Sequence, residues 1–141
     1  MPNHRPNPSA DKIKVLIVDD SASVRTTLSA ILSDDPEIEV MGTAADPYLA
    51  AEKIRKEVPD VLFLDIEMPR MDGFEVATHV RHDSRLQDVP IIMITSRTGE
   101  KHRERAFDIG VNCYMGKPFQ ENELLSTIRE LLGELQETGG E

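Results

Sequence analysis

The chain has 141 residues, with 16 Lys and Arg against 26 Asp and Glu, so its formal charge at pH 7 is −10. This length allows one ordinary domain, and the acidity excludes a nucleic-acid-binding protein that relies on a basic surface. Hydrophobic residues make up 39% of the chain and aromatic residues only 4%, so we expect a core of Val, Ile, Leu and Met. Because Cys113 is the single cysteine and no run of 18 apolar residues occurs, we expect a cytoplasmic protein without a membrane segment or an internal disulfide.

The sequence divides into a short arm, one domain and a short tail. Residues 1–11 contain three of the nine prolines and almost no large apolar side chains, which predicts a disordered N-terminal arm. Residues 12–136 carry the predicted domain. Residues 137–141, which include two glycines, are predicted to form a flexible C-terminal tail.

Within the domain, five short apolar runs predict β-strands, and the segments between and after them predict helices. Two of these segments have the 3.6-residue apolar period of amphipathic helices, and the other three are shorter or weaker. In chain order, the predicted elements are a strand at 15–18, a helix at 24–32, a strand at 38–41, a helix at 48–56, a strand at 61–64, a helix at 74–80, a strand at 91–94, a helix at 100–109, a strand at 111–115 and a helix at 124–135.

The strand pattern indicates a parallel sheet with helices on both faces. The runs at 15–18, 61–64 and 91–94 are continuously apolar, as in strands that are covered on both faces. Residues 37–40 alternate between charged and apolar side chains, which is typical of a half-covered edge strand. We therefore predict a doubly wound α/β fold of (βα)5 order, in which no insertion is long enough for a lid and an effector domain is absent from this chain.

Polar side chains follow four of the five predicted strands. Asp19 and Asp20 come directly after the first strand, and Asp65 comes directly after the third. Thr95 follows the fourth strand, and Lys117 follows the fifth. Because ligands of an open parallel sheet bind at the carboxyl ends of its strands, we expect these side chains to meet at one edge of the sheet.

Together these groups have the chemistry of a phosphoryl-transfer site. Crowded carboxylates repel one another unless a cation compensates, and Mg²⁺ suits them because it needs only one or two carboxylates and keeps several waters. Lys117 supplies a positive charge and Thr95 a hydroxyl donor for the equatorial oxygens of a phosphoryl group. The isolated carboxylate, Asp65, is the best candidate for a nucleophile that forms an acyl phosphate. Each residue alone has an ordinary explanation, such as a helix cap or a loop acid, so the prediction depends on their joint placement.

Four motifs carry a family resemblance that spans Lys14 to about Leu132. They are VLIVDDS at residues 15–21, LDIEMP at 64–69 with MDG at 71–73, ITS at 94–96, and KPF at 117–119. With these motifs the chain resembles the receiver domains of two-component response regulators. The resemblance implies a flavodoxin-like sheet of strand order 2-1-3-4-5, and the Lys117–Pro118 bond resembles a cis peptide of that family.

The resemblance also assigns roles to the site residues. It implies that Asp65 is phosphorylated by a partner histidine kinase or phosphotransfer domain. It further implies that Mg²⁺ is held by Asp20, Asp65 and the backbone carbonyl of Glu67, with Asp19 acting through water. Lys117 would contact the phosphoryl group.

By similarity, a switch links this site to a docking face. The phosphoryl group would draw Thr95 toward it, and Tyr114 would swing inward, changing a face made by helix 4, strand 5 and helix 5. Residues 97–105 hold four basic and two acidic side chains, so 4 − 2 gives +2, which fits either a solvated helix or a patch for an acidic partner. We expect a downstream protein target at this face, with neither nucleic acid nor membrane as a partner.

Finer resemblance divides the domain into two halves. Residues 12–72, especially ILSDDPEIEVMGTA at 31–44, resemble the receiver of chemotaxis methylesterases. Residues 73–132, with HDSRL at 82–86 and SRTGEKHRER at 96–105, resemble the terminal receiver of chemotaxis-type hybrid histidine kinases. The chain is then either a natural intermediate or a chimera, and we expect a signalling module rather than an enzyme.

Two other classes of protein share parts of this pattern. A magnesium-dependent phosphatase of the haloacid-dehalogenase type would use Asp65 as its nucleophile and carries a second acid two residues later, where Glu67 stands. Such enzymes also need extra chain for a cap, and nothing is inserted here. A dinucleotide-binding domain is disfavoured because no Gly-x-Gly-x-x-Gly follows the first strand.

Overall fold

A computed structural model describes residues 12–66, 72–96, 99–117 and 119–140, with only the backbone described for 133–140. The predicted N-terminal arm, residues 1–11, lies outside the described residues. In this part of the chain, no helix has the length and apolarity that crossing a membrane requires.

Strands and helices alternate along the chain, which confirms the predicted (βα)5 order. In chain order they are β1 (Ile13–Val18), α1 (Ala22–Ser33), β2 (Ile38–Ala44), α2 (Pro47–Lys56), β3 (Val61–Leu64), α3 (Gly73–His82), β4 (Ile91–Thr95), α4 (Glu100–Ile109), β5 (Cys113–Gly116) and α5 (Glu121–Gly140).

The five strands form one parallel sheet in the order β2-β1-β3-β4-β5, which confirms the predicted flavodoxin-like fold and its strand order. The alternating segment, β2, lies at an edge of the sheet, and the continuously apolar strands β1, β3 and β4 lie inside it. After β1 the chain builds β2 on one side of that strand and then returns to place β3 on the other. This reversal opens a crevice at the carboxyl ends of β1 and β3.

Side chains of the central strands alternate between two apolar cores, one on each face of the sheet. On β1, Val15 and Ile17 pack in one core with side chains of α1 and α5. Leu16 and Val18 point the other way and pack in the second core with side chains of α2, α3 and α4. Both faces of the sheet are therefore covered by helices. The polar residues that follow the strands lie at the carboxyl ends of those strands.

Several element boundaries differ from the sequence-based ones, and three of these differences have a clear structural cause. β2 continues to Ala44 because its pairing with β1 resumes after a register shift between Val15 and Leu16. β5 begins at Cys113 rather than 111, since the N–H of Val111 is still bonded to Ala106 at the end of α4. α5 continues to Gly140, beyond the predicted domain boundary at 136, because extending a formed helix adds one hydrogen bond per residue. Flexibility of residues 137–141 stays a prediction.

Helix α4 begins and packs differently from the helices before it. Asp46 caps α2, and Asp72 caps α3 in a capping box with Glu75. Gly99, at the start of α4, provides no side-chain cap, and Ala106 is the one buried residue of this helix. α4 is therefore held by fewer contacts at its start than α2 or α3.

Asp35 joins the turn after α1 to helix α5. This buried carboxylate accepts a hydrogen bond from the N–H of Glu37 at 2.9 Å and another from Nη2 of Arg129 at 2.5 Å. The backbone hydrogen bond from Glu37, helped by Arg129, lowers the pKa of Asp35 although burial opposes this shift. The ionised form of Asp35 therefore stabilises the fold.

Helix α3 starts directly against the backbone that follows β3. The N–H of Gly73 donates to the carbonyl of Ile66 at 2.8 Å. A Cβ atom at Gly73 would lie 2.3 Å from the carbonyl oxygen of Asp65, which is closer than such atoms approach each other in proteins. Only glycine allows this approach, so Gly73 fixes how closely α3 packs beside Asp65.

We predict that Asp35→Asn lowers the free energy of unfolding at neutral pH. Because the folded-state pKa of Asp35 is lowered, its contribution is present above the ordinary aspartate pKa of about 4 and is lost as the pH falls below it. The difference in the free energy of unfolding between the wild type and Asp35→Asn should therefore shrink as the pH falls below about 4. Denaturant unfolding at several pH values tests this, with the exposed neighbour Asp34→Asn as control. A difference independent of pH would contradict the assignment.

We also predict that Gly73→Ala lowers the free energy of unfolding by about 1–3 kcal/mol, because the added methyl group forces the backbone at Asp65 to move. Gly99→Ala is the matched control, since its Cβ would lie 3.6 Å from the side chain of His102, an ordinary contact. Urea unfolding of both variants measures the difference. Equal unfolding midpoints would show that the backbone accommodates the methyl group at no cost.

Candidate functional site

The carboxyl ends of the strands bring the predicted carboxylates together. Asp19 follows β1 and Asp65 follows β3, and both are buried, whereas Asp20 is exposed. One carboxylate oxygen from each of the three residues lies within 4.8 Å of the others. The structure thus assembles the three acids that the sequence predicts at one edge of the sheet.

Lys117, which follows β5, reaches into this acidic cluster. Its Nζ lies 3.1 Å from Oδ2 of Asp19 and 3.5 Å from Oδ1 of Asp65. The two carboxylate side chains are only 3% and 4% exposed, so their charges have little water to stabilise them and this ammonium compensates part of that loss. Burial alone would lower the pKa of Lys117, but the hydrogen bond to Asp19 and the charges of Asp65 and Asp19 outweigh it, and the pKa is raised. The acidic neighbours of Lys117 therefore favour its charged form.

At the start of α1, one residue caps the helix and its neighbours are the candidate metal ligands. The hydroxyl of Ser21, the N-cap residue, accepts a hydrogen bond from the N–H of Val24 at 3.3 Å. Asp19 Oδ1 accepts from the N–H of Ser21 at 2.8 Å. Among the described residues, Asp20 has no hydrogen-bond or ion-pair partner. Ser21 therefore caps α1, and the carboxylate of Asp20 is available to a ligand.

The donor set fits a hard divalent cation. Three carboxylates and one ammonium give the cluster a charge of −3 + 1 = −2, so an added dication would neutralise it. All the acidic donors are oxygen atoms, and the exposed Asp20 leaves an approach from solvent. This acidic pocket has the composition of a metal site.

Thr95 and Tyr114 lie on one face of the sheet. In the pairing of β4 with β5, Met93 lies opposite Tyr114 and Thr95 lies opposite Gly116. Since alternate residues of a strand share a face, the side chains of Thr95 and Tyr114 project to the same side, two residues apart along the strands. Both are buried, Tyr114 within the core beneath α2–α4. The carbonyl of Thr95 also accepts from the N–H of Lys117 at 2.8 Å.

Some predicted features lie outside the described residues. These are the backbone carbonyl of Glu67, the Lys117–Pro118 bond, and Arg97 at the start of the basic segment. Conversely, Gly73 lies in a family motif quoted above but was given no role from the sequence, and Arg25, whose Nη1 donates to the carbonyl of Asp19 at 2.9 Å, was not singled out. The signal for Gly73 was a glycine directly after a capping Asp, whereas nothing in the sequence distinguishes Arg25 from other helical arginines.

Comparison with known proteins assigns the chain to a family. The model of the response regulator receiver domain matches residues 15–129. The chain is 50% identical over 110 residues to a protein-glutamate methylesterase/protein-glutamine glutaminase of Bradyrhizobium diazoefficiens, a match that covers 77% of this chain and 30% of that protein. A relative with the same activities in its name, from Rhodospirillum rubrum, is 56% identical over 109 residues, which are 76% of this chain and 29% of the relative. The chain thus spans about 30% of the length of these relatives.

From the sequence, the methylesterase resemblance was limited to residues 12–72. The match to the Bradyrhizobium protein is longer than that segment. Residues 12–72 are 61 positions, whereas the match spans 110. The likeness therefore reaches into the second half of the domain. The resemblance of that half to hybrid kinases stays a prediction.

Solved structures agree with this family. The chemotaxis protein CheY4 of Vibrio cholerae has a TM-score of 0.76 and 38% identity, and the match covers 84% of this chain and 98% of that one. The response regulator domain of Thermotoga maritima CheB has a TM-score of 0.75 and 33% identity, over 84% of this chain and 95% of that one. The phosphatase interpretation is left without support, and the chain belongs to the response regulator receiver domain family, as a receiver of the chemotaxis type.

Proposed function

We propose that Asp65 is the phosphoacceptor of this receiver and that a partner histidine kinase or phosphotransfer domain supplies the phosphoryl group. The observation that carries the proposal is the ammonium of Lys117, which contacts the buried carboxylates of Asp19 and Asp65 beside the exposed Asp20. In the reaction, an oxygen of Asp65 forms a bond to phosphorus while the bond from phosphorus to the donor breaks. The ionised carboxylate has no proton to lose, so no general base is needed.

Each residue of the acidic pocket has a part in this reaction. Asp20, Asp65 and the backbone carbonyl of Glu67 would hold Mg²⁺, with Asp19 acting through water. When bound, Mg²⁺ supplies positive charge to the oxygens of the transferring phosphoryl group. Nζ of Lys117 lies 3.5 Å from Oδ1 of Asp65 and would neutralise a second oxygen of the phosphoryl group. The hydroxyl of Thr95 would donate a hydrogen bond to the third oxygen.

We further propose that phosphorylation is read on the face formed by α4, β5 and α5. The shared sheet face of Thr95 and Tyr114 supports a linked movement, because a shift of the threonine toward the phosphoryl group frees space on the tyrosine's side. On α4, the ring of Phe107 is 40% exposed and the guanidinium of Arg103 lies 5.1 Å from its centre. An exposed ring beside a cation suits an acidic protein segment with an apolar anchor.

This proposal makes the chain a cytoplasmic signalling module whose own chemistry is limited to gaining and losing a phosphoryl group. Methylesterase and glutaminase activities are named for relatives of which the chain spans about 30%. The described side chains of the acidic pocket are carboxylates, an ammonium and a hydroxyl, which together suit phosphoryl transfer.

We predict that acetyl phosphate with Mg²⁺ adds one phosphoryl group to the protein, on Asp65. Intact-mass analysis should show one adduct on the wild type, none on Asp65→Asn, and none after chelation of the metal. Asp46→Asn is the matched control, because asparagine also caps helices and Asp46 serves α2, outside the acidic cluster. An adduct retained by Asp65→Asn would refute the assignment. Steady turnover of small phosphoesters would instead indicate a phosphatase.

We also predict that Lys117→Arg separates phosphorylation from docking. Arginine keeps the positive charge, but its broad planar guanidinium does not reproduce the compact contact that the ammonium makes with two carboxylates. Pull-down from cell extract with and without an acyl-phosphate mimic should give phosphorylation-dependent capture by the wild type that the variant loses. The exposed Lys56→Arg on α2 is the control. Undiminished, mimic-dependent capture by Lys117→Arg would count against a coupling role.

A further inference from the structure

Hydrogen bonds hold Asp19 at four of its atoms. Its N–H donates to the carbonyl of Ala44 at 3.1 Å, and its Oδ1 accepts from the N–H of Ser21 at 2.8 Å. Its Oδ2 accepts from Lys117, and its main-chain carbonyl accepts from Nη1 of Arg25 at 2.9 Å. The last of these bonds comes from a residue that neither the family motifs nor the acidic cluster includes.

The bond from Arg25 affects Asp20 as much as Asp19. A peptide bond is planar, so the carbonyl of Asp19 and the N and Cα atoms of Asp20 move as one rigid unit. Arg25 holds the peptide unit before Asp20, and Asp19 Oδ1 holds the unit after it through the N–H of Ser21. Because Asp20 itself has no side-chain partner among the described residues, these two peptide units determine where its carboxylate can point.

Arg25 is suited to this role by its place and its chemistry. It lies in α1, six residues after Asp19, and its side chain is half-buried. Among the described residues no carboxylate forms an ion pair with it, so the carbonyl of Asp19 is its side-chain acceptor there. A guanidinium is always charged and presents donors in a fixed planar geometry, which holds an acceptor more precisely than a flexible ammonium.

We propose that Arg25 is a positioning residue of the acidic pocket: by holding the main-chain carbonyl of Asp19, it sets the β1–α1 turn so that Asp20 faces an incoming Mg²⁺. This inference rests on the proposed function, because it treats Asp20 as a metal ligand. In this proposal Arg25 acts through the Asp19 carbonyl and is not itself a metal ligand.

A positioning role and a purely electrostatic role of Arg25 predict opposite changes in Mg²⁺ affinity when its charge is removed. If the residue acted only through its charge, removing it would make the pocket more negative and Mg²⁺ would bind more tightly. If it positions Asp20, its loss leaves the turn free to move and Mg²⁺ binds more weakly. The sign of the change in affinity therefore separates the two explanations.

The test is direct Mg²⁺ binding by calorimetry, without a phosphodonor. We expect Arg25→Met to raise the dissociation constant about tenfold, the size of effect typical of residues that orient metal ligands. Arg25→Lys, which keeps the charge and can still donate to the Asp19 carbonyl though with a more flexible ammonium, should bind Mg²⁺ more tightly than Arg25→Met but more weakly than the wild type. Arg25→Gln, too short to reach that carbonyl, should weaken binding as Met does, and it serves if the Met variant fails to fold.

Arg55→Met is the matched control, because it removes the same charge from an exposed site on α2. Unfolding midpoints without metal show whether each variant is folded. Unchanged or tighter binding by both Arg25→Met and Arg25→Gln would overturn the inference, even where wild-type Asp65 is phosphorylated normally. Failure of the wild type to bind Mg²⁺ or to accept a phosphoryl group would instead refute the proposed function.

Discussion

Repulsion among three carboxylates at one edge of the sheet is the constraint on which the rest of this structure depends. Two of them, Asp19 and Asp65, are almost fully buried, and a buried charge costs several kcal/mol unless a partner and hydrogen bonds compensate it. The ammonium of Lys117 provides that compensation from the far side of the crevice. The parallel strand order makes this possible, because it brings the ends of β1, β3 and β5 to the same edge although they are distant in sequence.

The negative charge of the acidic pocket is only partly compensated, and contacts within the protein hold its carboxylates in place. A net −2 remains on the cluster after Lys117 is counted, which leaves a need for a dication. Meanwhile Ser21 and Arg25 secure Asp19 from the side of α1, and Gly73 lets α3 press against the carbonyl of Asp65. These contacts hold Asp19 and Asp65 through bonds within the protein, so little reorganisation of these two carboxylates would be needed on metal binding.

The sequence predicted best those parts of the site in which a polar residue directly follows an apolar strand. Continuous apolar runs located β1, β3 and β4, and the polar residue after each located Asp19, Asp65 and Thr95 at a common edge. What could not be predicted depends on contacts between distant elements. The end of β2 follows from its shifted pairing with β1, the late start of β5 follows from the end of α4, and the bond from Arg25 to Asp19 requires the actual path of the turn.

Because few side chains of α4 are buried, the exposed surface of this helix can change at little cost in stability. Ala106 is its one buried residue, so most of its side chains contribute little to the core, and exposed substitutions of that kind usually change stability by less than about 0.5 kcal/mol. The outward surface of α4 is then free to vary while the acidic pocket stays constant. If partners dock on α4 as proposed above, changes on this helix alone would alter partner recognition and leave the chemistry of the acidic pocket as it is.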